Sequence, residues 1–500
     1  MKTRHKNQRA ILEAIAHRAM LQYGLLPDFS AAVMAELGRL KEPAPAGEAS
    51  ANRPPEIPDM RNLLWASIDN DDSRDLDQLT AAEQLPGGKV RVLVAVADVA
   101  SLVKHGLAID EHARHNTTSV YTAARVFPML PNELSTDLTS LNFGEERPSI
   151  VVDMVIDEDG QLSNSDIYQA RVTNHAKLAY NSVAAWLDGS GSAPEAITPV
   201  KDLAENIRLQ DHIAQRMKKL RHQHGALSLE TIEAKAMFDG DQIRTLEIEQ
   251  KNRAKEIIED FMVAANGVTA RYLSTKSYPS IRRVVRTPKR WDRIVEIASG
   301  RGFNLPERPD SKALEEFLVS QKTADPLRFP DLSLAVIKLL GAGEYIAELP
   351  DADAPGHFAL AVKDYGHSTA PNRRYPDLLT QRLLKAALEG KPAPYSKGEL
   401  DVLAAHCTQA EDSANKVERQ VGKSAASLLL QSRIGEQFDS IVTGASEKGT
   451  WVRLIDTPAE GKLVQGFEGL DVGTQVRVQL TSLDVQKGFI DFKRVSSSKH

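Results

Sequence analysis

The pattern of hydrophobic and polar positions divides the 500-residue chain into a β-rich first part, a helical middle and a β-rich end. Short apolar or alternating runs predict strands over 63–68, 90–96, 149–156 and 165–173. Apolar residues that recur every three or four positions predict helices over 179–187, 199–223, 252–275, 290–300, 311–321, 332–341, 376–389 and 398–430. Because the strands come before the helices instead of alternating with them, the pattern indicates an α+β fold.

The two ends of the chain differ from this central part. Residues 1–60 contain two short helical patterns, followed by five prolines that indicate a linker or an extended strap. The two helices favour a packing strap, with half of a DNA-binding helix-turn-helix as the alternative. The last seventy residues have short apolar segments at 440–443, 450–454, 475–480 and 489–492, separated by glycines and polar turns. That rhythm predicts a small five-stranded barrel of the OB or SH3-like type. We therefore expect three domains, over 1–60, 61–430 and 431–500.

The composition excludes some classes of protein and leaves others open. No apolar run approaches the roughly 18 residues that a transmembrane helix needs. Cys407 is the only cysteine, which excludes an intrachain disulfide and cysteine-based zinc sites. The charged N-terminus lacks the pattern of a secretory signal, so we expect a cytoplasmic protein. The net charge of −6 does not exclude nucleic acid as a partner, because binding depends on local clusters of charge.

The segment 69–77 carries five aspartates in nine residues, directly after an apolar strand. Such charge density is costly unless cations neutralise it. An EF-hand calcium loop is excluded, because Arg74 replaces its glycine and Thr80 replaces its last glutamate. Two interpretations remain open: a solvated acidic turn, and a carboxylate metal site for phosphoryl chemistry.

This segment resembles the signature of the RNase II family of exoribonucleases, the RNB domain, in which Ile-Asp is followed six residues later by Asp-x-Asp-Asp. Asp69, Asp75 and Asp77 fall on three of the four family aspartates, and Gln78 stands at the fourth. Further blocks resemble family segments in the same order; they lie at 96–99, 118–142, 176–180, 258–266, 369–377 and 417–419. The chain is identified on these blocks as a member of the family, and the C-terminal barrel is expected to be its OB-fold RNA-binding module.

The resemblance implies a metal-dependent 3′→5′ exoribonuclease that hydrolyses single-stranded RNA to 5′-mononucleotides. Its cofactor would be magnesium, with manganese as a substitute. Asp69, Asp75 and Asp77 would be metal ligands, and Gln78 would offer only a neutral oxygen. Arg373 matches the family arginine that faces the scissile phosphate, so Asp75, Asp77 and Arg373 are the expected catalytic residues.

The resemblance also implies contacts with RNA. The residues that match family positions near the RNA 3′ end are Tyr121, Tyr180, Glu259 and Glu418. A basic cluster beside Trp291 is expected to follow the RNA backbone; it includes Arg282, Arg283 and Arg286. The alternative for this cluster is a solvated helix face. Where better-studied members have an aromatic that stacks on RNA bases, the alignment places Leu229.

A second hypothesis uses the departures from the family pattern. Gln78 and Leu229 support a catalytically weak or inactive RNA-binding protein on the same fold. A DNA-directed exonuclease is a third hypothesis, which matched ribo- and deoxyoligonucleotides would separate. In each case we expect a monomer that has no membrane segment.

Overall fold

The computed structural model describes residues 7–40, 57–232, 234–248, 251–350, 352, 355–446 and 449–495. These residues form an α+β fold with a separate C-terminal barrel, as predicted. Most of the proline-rich segment that was predicted to be a linker lies outside the described residues. Within them, no helix is long and apolar enough to cross a membrane.

A six-stranded sheet organises the centre of the chain, in the order β7-β6-β3-β2-β1-β8. Its strands are β1 (Ala66–Asp69), β2 (Gln78–Gln84), β3 (Val90–Ala97), β6 (Glu146–Ile156), β7 (Leu162–Thr173) and β8 (Ala176–Ala179). β3 lies inside the sheet, and its run of β-branched and small apolar residues is buried almost throughout. β1 and β8 run parallel, with Asp69 opposite Ala179. The end of the first strand therefore lies beside the start of the helix that follows β8.

Helices pack on this sheet and on one another. Their bounds are α1 (Gln8–Gln22), α2 (Ala31–Leu37), α3 (Ala108–Asn116), α4 (Tyr180–Leu187), α5 (Leu203–Gln223), α6 (Arg253–Thr275), α7 (Trp291–Ser299), α8 (Ser311–Ala324), α9 (Phe329–Leu340), α10 (Tyr375–Leu388) and α11 (Lys397–Leu430). The eight from α4 onwards match the predicted helices within a few residues. Apolar residues of α6 and α10 share one core with the sheet, which fixes both helices against it.

Short strand pairs complete the central part. They are β4 (Val120–Tyr121) with β5 (Val126–Phe127), β9 (Ala234–Asp239) with β10 (Gln242–Ile248), and β11 (Ser280–Val284) with β12 (Glu344–Glu348). None of these was predicted from the sequence. Each pair is only two strands wide and relies on neighbouring helices for its stability.

The C-terminal residues form the predicted five-stranded barrel, which is closed. Its strands are β13 (Gln437–Ser446), β14 (Gly449–Leu454), β15 (Glu460–Gln465), β16 (Gln475–Asp484) and β17 (Phe489–Arg494). Alternate residues point inward, and Val452, Val478 and Phe492 are fully buried.

The N-terminal helices pack against the rest of the molecule. Leu12, Ile15 and Met20 of α1 belong to the same buried cluster as the apolar face of α11 and the interior of the barrel. α2 contributes Val33 and Leu37 to the core of the central sheet. This packing agrees with the strap interpretation of the N-terminal helices.

Candidate active site

The acidic loop connects β1 to β2 and is held by bonds to its backbone. The Lys177 Nζ donates to the Ser73 carbonyl oxygen at 2.6 Å. The Ser140 hydroxyl donates to the Arg74 carbonyl at 2.9 Å and accepts from the Leu76 N–H at 3.0 Å. These bonds satisfy backbone groups of a loop without regular structure, and they fix the direction of its aspartates.

Asp77 is the most enclosed carboxylate of the loop, with its side chain 3 % exposed. Its Oδ1 accepts from the Asn372 N–H at 3.0 Å, and its Oδ2 accepts from the Arg373 Nε at 3.2 Å. The same segment is anchored from its other side, where the Ser119 N–H donates to the Arg373 carbonyl at 2.9 Å. Asp77 thus joins the acidic loop to the arginine segment, 296 positions later in the chain.

Burial and mutual repulsion raise the pKa values of Asp77 and Asp69. Burial raises the pKa of Asp77 to about 7, against the opposing charge of Arg373, and the charge of Asp75 raises it further. Burial also raises the pKa of Asp69, where the Asn70 N–H and Arg373 act in the opposite direction and Asp75 adds to the rise. These carboxylates therefore lie close enough for each to feel the charge of a neighbour. A cation between them would relieve this repulsion.

A pocket of about 460 Å³ opens beside the acidic loop. Asp69, Asp75 and Gln78 line one side of it, and Arg373 lines another. The Arg373 side chain is 41 % exposed, so its guanidinium faces this space while its Nε holds Asp77. The pocket therefore combines carboxylate oxygens with a fixed cation.

Tyr121 connects the acidic loop to α11. Its hydroxyl donates to Asp75 Oδ2 at 3.2 Å, and its backbone N–H donates to Glu418 Oε1 at 2.7 Å. Burial raises the pKa of the phenol, as does the charge of Asp75, so the hydroxyl keeps its proton at neutral pH. Glu418 is not a lining residue of the pocket, but it lies directly behind Tyr121.

Two helices, α4 and α6, also line the pocket. Tyr180 begins α4 next to Asp69, because β1 and β8 are paired in parallel. Glu259 lines the same pocket from α6, where it contacts Arg221 and Lys251 at 3.5 Å. Lys255 also lines the pocket, with its Nζ 5.8 Å from the centre of the Tyr180 ring. Besides the acidic loop and Arg373, the pocket thus has an aromatic face and a second cation.

The donor set suits a hard divalent cation. Carboxylate oxygens from Asp69 and Asp75 and the amide oxygen of Gln78 are the ligand types that magnesium prefers. Among the described residues, no group of three His, Cys, Asp or Glu side chains is arranged to hold a metal ion. Asp77 is engaged by Arg373 and the Asn372 N–H. The residues therefore fit a cation held by two carboxylates and completed by other oxygen atoms.

The structure corrects the prediction for Arg282. This side chain is buried, donates from Nε to Glu348 on the neighbouring strand, and lies 3.9 Å from Asp364. Its charge is committed inside the protein, so it is not available to an RNA backbone. Arg283 contacts Glu411, and Arg286 contacts Glu344. Neither lines the pocket, and their predicted role in RNA binding stays a prediction.

Leu229 is placed away from the pocket. It is half-buried against the apolar cluster of α7, α8 and α9, which contains Trp291, Phe317 and Phe329. The position that matches a stacking aromatic in the resemblance therefore contributes here to packing.

The sequence analysis did not name several of the lining residues as site residues, among them Lys255, Asn266, Tyr365 and Thr369. Asn266 and Lys255 had a usable signal, because they stand seven positions after and four before Glu259 and so share its helix face. Tyr365 had none, since it lies in an irregular segment whose approach to the site depends on the whole fold.

Comparison with known proteins supplies a family. The RNB domain profile matches residues 57–390, and the profile of the RNase II-type exonuclease C-terminal S1 domain matches residues 436–495. Ribonuclease R of Escherichia coli is 30 % identical over 94 % of this chain, which covers 60 % of that relative. Ribonuclease R of Thermotoga maritima is 31 % identical over 81 % of this chain and 57 % of its own length. The chain thus spans about 60 % of the length of these relatives.

Solved structures share the fold. The apo form of Mycoplasma genitalium RNase R superposes with a TM-score of 0.85 at 22 % identity, covering 98 % of this chain and 78 % of that one. Yeast Ssd1, described as a pseudonuclease, superposes with a TM-score of 0.71 at 17 % identity, covering 90 % and 55 %. At these identities the likeness establishes the fold alone, and the fold accommodates both a nuclease and a pseudonuclease.

Proposed function

This chain belongs to the RNB-domain family, and on that premise we propose that it is a metal-dependent 3′→5′ exoribonuclease that hydrolyses single-stranded RNA to 5′-mononucleotides. One observation carries the proposal. Asp69, Asp75, Gln78 and Arg373, which come from two distant parts of the chain, line a single pocket with Tyr121 and Tyr180. The same arrangement supports Asp75 and Arg373 as catalytic residues. Asp77 does not line the pocket, and its predicted roles as a catalytic residue and a metal ligand stay predictions.

Arg373 is the group best placed to bind the scissile phosphate. A guanidinium stays charged at all physiological pH values, and its planar fork matches two phosphate oxygens. Asp77 occupies the Nε side through its 3.2 Å contact, which leaves the terminal nitrogens for the substrate. In this proposal, Asp77 positions the arginine and shares its charge, and Arg373 stabilises the negative charge that builds up during hydrolysis.

We propose that Asp69 and Asp75 hold the divalent cation, magnesium or manganese, with Gln78 as a neutral oxygen donor. One or two carboxylates together with substrate phosphates are the usual ligands of magnesium at such sites. When bound, the cation would lower the pKa of the attacking water and stabilise charge on the phosphate. The requirement for substrate oxygens agrees with the absence, among the described residues, of a ready-made cluster of three ligands.

The remaining contacts would hold the 3′ end of the RNA. Tyr121 and Tyr180 offer aromatic faces for the terminal nucleotides. Glu259 lines the pocket and Glu418 lies behind Tyr121, and their carboxylate oxygens would accept bonds from ribose hydroxyls. Such bonds to the 2′-hydroxyl discriminate RNA from DNA.

The alternative, an RNA-binding protein with little or no catalysis, is favoured by one residue. Gln78 lines the pocket but carries no charge. A cation in this pocket is therefore neutralised less completely than it would be in a site with four carboxylates. The variant Gln78→Asp tests this alternative directly. If the wild type is inactive and the variant hydrolyses RNA, Gln78 is the reason for the inactivity.

The test of the function is product analysis on matched RNA and DNA strands, in magnesium, in manganese and in EDTA. The proposal predicts 5′-mononucleotides from RNA in either metal, with no product in EDTA and none from DNA. RNA that stays intact in both metals contradicts the nuclease assignment, and equal hydrolysis of DNA contradicts the role given to the ribose contacts.

We also propose that the chain acts as a monomer in the cytoplasm. Its single cysteine, Cys407, is a buried free thiol, which fits a reducing compartment. Light scattering on the purified chain checks whether it is a monomer, since a dimer would double the mass of 54.9 kDa.

A further inference from the structure

A second cavity, of about 550 Å³, lies between α1, α11 and the turn that joins β16 to β17. Five cations line it: Arg18, Lys416, Arg419, Lys423 and Lys487. None of its lining residues is acidic, although the chain as a whole carries a net charge of −6. We call this cavity the basic groove. Its charge is a local property that the composition conceals.

The cations of the basic groove are free to meet an anionic ligand. Within the described part of the chain, none of the five forms an ion pair, whereas Arg282, Arg283 and Arg286 are all paired. Lys416, Arg419 and Lys423 stand at intervals of three and four on α11, so they share one side of that helix. Glu418 lies between them in sequence but contacts Tyr121 from another side. The groove is therefore separate from the catalytic pocket.

The groove has rigid walls. Gly488, in the turn between β16 and β17, has a φ of +67°, and a Cβ built there would lie 2.6 Å from the Lys423 Cβ. Only glycine permits this close approach of the turn to α11. The Arg18 guanidinium donates to the Gln486 side chain, which ties α1 to the same turn. The three elements also share one apolar cluster. The groove is thus formed before any ligand arrives.

Two aromatic side chains also line the basic groove. Tyr23 lies at the end of α1, and Phe489 at the start of β17 is 60 % exposed. The exposed ring of Phe489 offers a face on which a nucleic-acid base can stack. Proteins that bind single-stranded nucleic acid regardless of its sequence place cations along the phosphate backbone and stack the bases on aromatic side chains.

We propose that the basic groove binds single-stranded RNA on the 5′ side of the nucleotides held in the catalytic pocket. This proposal rests on the proposed function for the identity of the strand. An RNA long enough to reach both places would be held by both, and a short one by the pocket alone. The groove would therefore set the preference for long substrates and contribute nothing to cleavage of short ones.

The test compares Lys416→Gln/Lys423→Gln with the control pair Lys391→Gln/Lys397→Gln, which removes the same charge from exposed sites outside the groove. Fluorescence anisotropy in EDTA measures binding of RNAs of about 30 and about 6 nucleotides over a range of salt concentrations. Loss of two phosphate contacts should reduce the slope of log K against log salt by about 1.4 for the long RNA, with affinity roughly 10- to 30-fold lower at 0.1 M salt. Phe489→Ala should lower the affinity for the long RNA by about fivefold or more at every salt concentration.

Three outcomes decide the matter. A loss confined to the long RNA and to the groove variants supports the proposal. Equal slopes for wild type, groove variant and control overturn it, and would leave the groove to a partner other than RNA. Equal losses on long and short RNA also overturn it, because the effect then acts through the pocket or the fold. Hydrolysis of the short RNA in magnesium is measured separately, so failure of the nuclease function is distinguishable from failure of the groove.

Discussion

Arg373 and Asp77 show how two residues far apart in the sequence form one hydrogen-bonded pair. The sequence suggested both through their motifs, but only the structure shows that Asp77 is buried and holds the Nε of the arginine. The arginines of β11 show the opposite case. Their sequence pattern indicated a basic surface, whereas Arg282 is neutralised by Glu348, 66 positions away on the adjacent strand. Such long-range pairing has no signature in a single sequence, which explains why the prediction for Arg282 was wrong.

The variant Arg373→Lys tests the fork geometry. Lysine keeps the charge but loses the planar pair of donors and the Nε contact with Asp77. We expect kcat to fall by roughly 10²-fold, because a fixed donor to the developing charge is removed, while binding of long RNA changes little. Single-turnover cleavage and anisotropy measure the two effects. A loss of binding as large as the loss of rate would contradict the role assigned to Arg373.

The regular elements of the structure were largely predictable where their periodicity was strong. The buried strand β3 and the long helices α5, α6 and α11 follow their apolar pattern closely. β2 was missed because Gln78–Gln84 is rich in alanine and glutamine, which favour strands little. β15 was missed for a similar reason, since Glu460–Gln465 contains a glycine and only two β-favouring apolar residues. In both β2 and β15, pairing with neighbouring strands overrides the weak preference of the local sequence for the strand conformation.

The packing of the segment just before α2 against α3 should depend on pH through His112. This side chain is buried against the Phe29 ring, with ring centres 4.5 Å apart, and burial lowers its pKa to about 4. The unfolded state, with a pKa of about 6.5, takes up a proton first as the pH falls. The stability contributed by neutral His112 is therefore complete above pH 6.5 and is lost between 6.5 and 4, amounting to about 3 kcal/mol.

Hydrogen exchange of α3 amides at pH 7.5 and pH 5 measures this loss. The variant His112→Gln keeps a side chain that accepts a hydrogen bond from Asn116 but does not titrate. The loss of amide protection in α3 between pH 7.5 and pH 5 should therefore be smaller in this variant than in the wild type. Identical pH dependence in both proteins would show that His112 is not the group responsible.

Contact between the barrel and α11 should depend on Gly488. The substitution Gly488→Ala costs about 1–2 kcal/mol for the left-handed backbone, and the added Cβ must also displace Lys423. Gly469→Ala is the matched control, because its φ of +72° carries the same backbone cost while nothing lies within 4 Å of the added Cβ. Thermal unfolding should show a larger loss for Gly488→Ala than for Gly469→Ala. Equal losses would mean that the turn does not press on the helix.

The described part of the chain combines the proposed catalytic pocket, a barrel and an N-terminal helix in one structure. α1 joins the barrel and α11 through a shared apolar cluster, and the basic groove lies where these three meet. The sequence predicted each part but not their juxtaposition, because the contacts join positions that are several hundred residues apart. We expect the pocket to govern chemistry and the groove to govern the length of RNA that is bound well.

The most direct test of the account is a time course on 5′-labelled single-stranded RNA of about 30 nucleotides in magnesium, with wild type beside Asp75→Asn. We predict a ladder that shortens from the 3′ end with the wild type, and intact RNA with the variant although it is still bound. Asp75→Asn keeps the shape of the side chain and removes only its charge. Cleavage inside the strand, or an undiminished ladder from the variant, would contradict the claim that this pocket is a metal-dependent 3′→5′ exonuclease site.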